Sequence, residues 1–150
     1  MKIVGLLLTV AFMGNFLSCS HGCSSKVSMQ NEKTLTKNMN DLEKISGLKL
    51  PASAKVLSAT DESGHDGTKY KRWIVASAER PMLSGATIDG DDNKTFLKTL
   101  KEAMPDEDFG NPVGDKYQFS DWSNEQGGWQ AATIETDKGF YLSLENIALD

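Results

Sequence analysis

The chain has 150 residues, 39% of them hydrophobic and 25% charged, with a formal charge of -5, the length and balance of one ordinary globular domain. Its lysines and arginines are scattered singly apart from "KYKR" at 69–72, which excludes the basic footprint that neutralises DNA or RNA phosphates, so no nucleic-acid partner is expected. Both cysteines precede residue 24, so the body of the chain can hold neither a disulfide framework nor a cysteine-ligated zinc site.

The first predicted element is a leader. "MKIVGLLLTVAFMGNFLSC" opens with one lysine, runs uncharged from Ile3 to Phe12, and ends in small and mixed residues before Cys19. That is the n-region, h-region and cleavage-site order of a secretory signal. A spanning helix needs about 20 apolar residues, and Gly14 and Asn15 interrupt this run sooner. Removal of residues 1–18 takes Lys2 and no acid, moving the charge from -5 to -6.

The residues Phe16-Leu17-Ser18-Cys19 resemble the lipobox of bacterial lipoprotein signals, with Ser18 as the small residue before the cut and Phe16 where leucine is usual. The resemblance implies that Cys19 becomes the new amino terminus, carrying a diacylglycerol thioether and an acyl group such as palmitate on its amino nitrogen. The protein would then be anchored by lipid in a membrane of the cell envelope, facing the periplasm or the cell exterior. Stable anchoring takes two or more acyl chains, each buried methylene contributing about 0.8 kcal/mol. The alternative is cleavage by signal peptidase I after Ser20 or Gly22, which leaves a free soluble protein.

Residues 19–33 read as a flexible tether, since "SHGCSSKVSMQNEK" offers little that a core could use. Cys23 within it is open to three roles: a free thiol, an intermolecular disulfide, or the lipidation site itself. Residues 34–150 are the expected globular domain.

Leu35, Met39, Leu42 and Ile45 recur at helical spacing and predict a helix over about 33–46, closed by Gly47 and Pro51. "AKVLSAT" at 54–60 reads as a strand, "DESGHDGTK" as a turn-rich loop, and "YKRWIVASA" at 70–78 as a strand covered on both faces. The stretch from Arg80 to Asp92 has no clear period. Phe96, Leu97, Leu100, Ala103 and Met104 predict a second helix, capped by Asp91 or Asp92 and stopped near Pro105. "DEDFGNPVGDK" is a loop, and "GWQAATIETDKGFYLSLENIA" reads as two strands joined by Asp137-Lys138-Gly139. The expected fold is α+β: a single small domain with an antiparallel sheet of about four strands and two helices packed on one side of it.

The chemistry available is sparse. Beyond the tether His65 is the only histidine, and without a nucleophile elbow it reads as a solvated loop residue rather than a catalytic base. "DGDDNK" from Asp89 has the acids of a calcium loop, but lysine stands at its glycine and Leu100 at its glutamate; a turn and helix cap is the better reading. No metal and no cofactor is expected. Acids such as Asp106, Glu107, Asp108, Asp121, Glu125 and Glu135 are numerous, yet sequence spacing pairs none of them for glycoside cleavage. Trp122 and Trp129 could stack on a sugar, but large amphipathic aromatics serve equally as core pieces.

The expectation is therefore a non-catalytic, membrane-anchored protein-binding or inhibitory module, resembling in outline the immunity and exclusion lipoproteins. The alternatives are an envelope enzyme acting on glycan or peptide, and a structural subunit of an envelope assembly. The working surface is expected at residues 106–129. There Asp106, Glu107, Asp108 and Asp121 would attract a basic partner, and Tyr117, Phe119, Trp122 and Trp129 would anchor it.

Overall fold

The structure, a computed structural model, describes residues 35–64 and 67–148. The leader, the whole of the tether with Cys19 and Cys23, and His65 lie outside the described residues.

Helix α1 spans Met39–Ser46, several residues shorter than its apolar spacing predicts. Its start is set by polar side chains: Thr36 Oγ1 accepts the Asn38 N–H at 3.1 Å, and Asn38 Oδ1 accepts those of Asn40 and Asp41 at 2.9 and 3.4 Å. Such local bonds hold the chain extended before the helix and satisfy its free amides. Leu35 nevertheless packs on the core from the extended stretch. Gly47, at φ 76, returns its N–H to the Glu43 carbonyl and closes the helix.

The strands are β1, Lys55–Ser63; β2, Lys69–Ser77; β3, Ile88–Gly90; β4, Tyr117–Asn124; β5, Gly127–Thr136; and β6, Gly139–Ala148; helix α2, Asn93–Ala103, lies between β3 and β4. They form one sheet of order β1-β2-β6-β5-β4-β3 in which each neighbouring pair is antiparallel. The α+β class with an antiparallel sheet stands, but the sheet has six strands rather than about four. The two additional strands, β3 and β4, lie in stretches that carried no strand expectation.

The helices do not share a side of the sheet. Trp73 and Val75 of β2, Trp129 and Ala131 of β5, and Leu142 and Leu144 of β6 form one buried cluster, which Leu42 of α1 and Leu48 complete. Ile74, Ile134 and Tyr141, from the opposite alternation of the same three strands, form a second cluster with Leu97 and Leu100 of α2 and with Phe109. Because side chains alternate along a strand, strands apolar in both alternations need a cover on each face. The result is helix, sheet, helix. We call the two sides the tryptophan face and the Phe109 face. In β1 Val56 faces the first and Leu57 the second, and a bulge between Val56 and Ser58 shifts the alternation so that Ala59, paired with Trp73, returns to the first.

Candidate functional site

The eight residues expected to form a partner surface fall into three places. Trp129 is 1% exposed and stacks between Trp73 and Trp122, with ring centroids 5.8 and 6.1 Å away. The indole N–H groups of Trp73, Trp122 and Trp129 donate to the Thr36 carbonyl at 3.0 Å, the Ser46 carbonyl at 2.9 Å and Asn124 Oδ1 at 2.9 Å. This ladder joins α1 and its flanks to the sheet. Burial of the rings together with satisfaction of each N–H is the usual way such side chains are accommodated in a core.

On β4 the alternation sends Tyr117, Phe119 and Asp121 to the Phe109 face. Tyr117 stacks on Phe96 of α2 at 5.0 Å, Phe119 is half-buried opposite Ile88 of β3, and Asp121 is exposed.

The third place is the loop after α2, which carries Asp106, Glu107 and Asp108. Asp106 and Asp108 are exposed and Glu107 is half-buried. The loop is latched to the turn between β5 and β6. Asp108 accepts from Lys138 Nζ and from the Gly110 N–H. Asp137 accepts from the backbone N–H of Asn111 at 2.9 Å and from its side-chain amide at 3.1 Å. The Lys138 ammonium, followed by the Gly110 N–H, holds the Asp108 carboxyl below its ordinary range; the two Asn111 donors do the same for Asp137. Asp108 in turn raises Lys138. Beneath the loop, burial pushes the Tyr141 phenol up, with Glu107 acting in the same direction.

The "DGDDNK" stretch serves as strand and cap. Asp89 lies in β3, with Lys116 Nζ 3.7 Å from its carboxylate. Asp92 caps α2, its Oδ1 accepting from the Lys94 and Thr95 N–H groups and its Oδ2 from the Thr95 hydroxyl. The Thr95 hydroxyl is the largest cause of the lowered pKa of Asp92. Among the described residues no three His, Cys, Asp or Glu side chains gather where they could hold a metal ion.

One site escaped sequence reasoning. At one end of the tryptophan face a pocket of about 170 Å³ is lined by Arg80, Asp89, Lys116, Gln118, Thr133, Glu135 and Phe140, with Val113 beside them. Strand alternation alone places Thr133 and Glu135 on one face of β5. Bringing Asp89 and Gln118 beside them requires the pairing of β3, β4 and β5, which no local pattern encodes. Compared with protein-family models, curated proteins and solved structures, the chain shows no match.

Proposed function

We propose that this chain is an exported, lipid-anchored, non-catalytic module of the cell envelope that engages a protein partner of basic surface through its acidic loop at residues 106–108, acting as an inhibitory or immunity-type lipoprotein does. The leader and its lipobox-like end at Cys19 support the location. The observation that carries the binding role is the latch, which ties a loop of three acids, two exposed and Glu107 half-buried, to the neighbouring hairpin turn. Loops supported by a rigid scaffold are where binding residues concentrate, and a loop already ordered loses less entropy on association. Acidic charge at the rim speeds encounter with a basic partner, an effect that salt weakens.

The test has an anchor arm and a binding arm. Cys19→Ala should abolish lipid labelling and release the protein from the membrane; retention with an unchanged lipid signal would remove the anchor from the reading. For binding, the partner is cross-linked to the lipidated chain in its own membranes and purified, and Asp106 and Glu107 are reversed to Lys together. Asp108 is kept so that its bond to Lys138 survives. Association should slow about tenfold, with a flatter salt dependence and little change in dissociation, as rim charges act mainly on the on-rate. An unchanged rate and salt dependence rejects the loop as the interface. Turnover of cell-wall fragments by the purified chain would replace the binding role with an enzymatic one.

A further inference from the structure

The pocket on the tryptophan face is built by register. Asp89 of β3 pairs with Gln118 of β4, and Gln118 pairs with Thr133 of β5, so three strands set these residues in one row. Glu135 follows two residues along β5, paired with Phe140 of β6. Arg80, just past β2, reaches Glu135 at 2.7 Å with its guanidinium 5.4 Å from the centre of the Phe140 ring, and Lys116, just before β4, lies 3.7 Å from Asp89. The pocket thus holds two cations and two anions. Thr133 is only 4% exposed, and its hydroxyl has no hydrogen-bond partner among the described residues. A valine would fill the same volume without stranding a polar atom, and a local rule broken in this way marks sites kept for something other than stability.

We infer that this pocket binds a small zwitterion of the α-amino-acid type. The ligand carboxylate meets Arg80 and Lys116 and accepts from the Thr133 hydroxyl, which thereby gains its partner. The ammonium meets Asp89 or Glu135, and an apolar side chain rests against Phe140 and Val113. Balanced charge gives no net attraction to a simple anion or cation, whereas a ligand carrying both signs pairs with both. The existing ion pairs are solvent-exposed, so exchanging them for ligand charges costs little. The pocket, about 170 Å³, is small, which favours a ligand of one residue over a long peptide. This reading is independent of the acidic loop and its partner.

The experiment titrates the ¹⁵N-labelled full chain, in detergent micelles, with L-leucine while the amides of Gln118, Thr133 and Glu135 are followed by NMR. Saturable shifts confined to the pocket are expected. N-acetyl-L-leucine, lacking the ammonium, and L-leucinamide, lacking the carboxylate, should each bind about tenfold more weakly, roughly the effect of one charge-assisted hydrogen bond. Thr133→Val should weaken leucine binding by a similar factor while the melting temperature stays level or rises. The inference is overturned by the absence of saturable shifts up to the solubility limit of leucine. It is equally overturned if either derivative or D-glucose binds as well as leucine does, or if Thr133→Val leaves affinity unchanged.

Discussion

Gly139 opens β6 at φ 127, and a Cβ placed there would stand 2.7 Å from the Ser77 carbonyl oxygen. An alanine therefore meets two penalties, a backbone conformation that L-residues avoid and a collision with the neighbouring strand β2. Gly47 isolates the first penalty, since at φ 76 it has nothing within 4 Å of its would-be Cβ. Gly47→Ala should cost about 1 kcal/mol and Gly139→Ala about 3 kcal/mol, because crowding adds to backbone strain. Urea midpoints of the two variants measure the difference; equal costs would mean that the turn shifts away from Ser77. The glycine's place in the turn was legible, because Asp137-Lys138-Gly139 stands between two clear strand patterns. The Ser77 contact was not, because it joins residues 62 positions apart in sequence. The tryptophans follow the same rule. Their size marked them as core or anchor pieces, but the choice depended on acceptors contributed by Thr36, Ser46 and Asn124, two of them far along the chain from the rings they satisfy.

The latch between the acidic loop and the β5–β6 turn makes stability depend on acid in a definite direction. Asp108 and Asp137 have folded pKa values below the ordinary one, so the folded state binds fewer protons than the unfolded chain in the acid range. Their contribution is present above the unfolded value of about 3.9 and is lost as the pH falls through the folded values. Asp137→Asn should lower stability at neutral pH and flatten its decline below about pH 5, as read from urea midpoints across the acid range. An acid limb of the same slope as the parent would show that Asp137 does not carry the dependence. At this scale four strands, both helices and the hairpin were legible from periodicity and caps, with α1 beginning later than its apolar stripe. β3 was missed because three residues contain no period. β4 was missed for a different reason. Its alternation separates Tyr117 and Phe119 from Ser120 and Trp122, but Asp121 and Ser123 are exposed and turn-forming residues flank it on both sides, so the stretch reads as loop. A strand half covered on each side leaves no clean pattern.

A six-stranded sheet with one helix on each face divides the interior into two clusters that touch only through the backbone between them. Leu42→Ala empties space on the tryptophan face and Leu100→Ala on the Phe109 face, both residues being at most 2% exposed. Each should cost about 2–5 kcal/mol, and the double variant should cost their sum within about 0.5 kcal/mol, as expected of sites without shared partners. Denaturant unfolding of the two single variants and the double closes this cycle; a larger coupling would mean that the sheet itself moves to fill either cavity. The sign of a two-sided sheet was present in "YKRWIVASA", apolar on both alternations. Which helix covers which face was not, since neither chain order nor composition encodes it. The pocket row of Asp89, Gln118 and Thr133 was hidden for a kindred reason, being a property of pairing. The sheet order adds a consequence in time. β6 lies between β2 and β5, yet it is the last of the six strands to be synthesised. Until it emerges, the β1–β2 hairpin and the β3–β4–β5 ribbon have no strand in common, and the inner edges of β2 and β5 stand open with Trp73, Val75 and Trp129 beside them. At about 5–20 residues per second of translation, a growing chain passes through this open state for seconds, and both interiors close together when the final strand slides between the two halves.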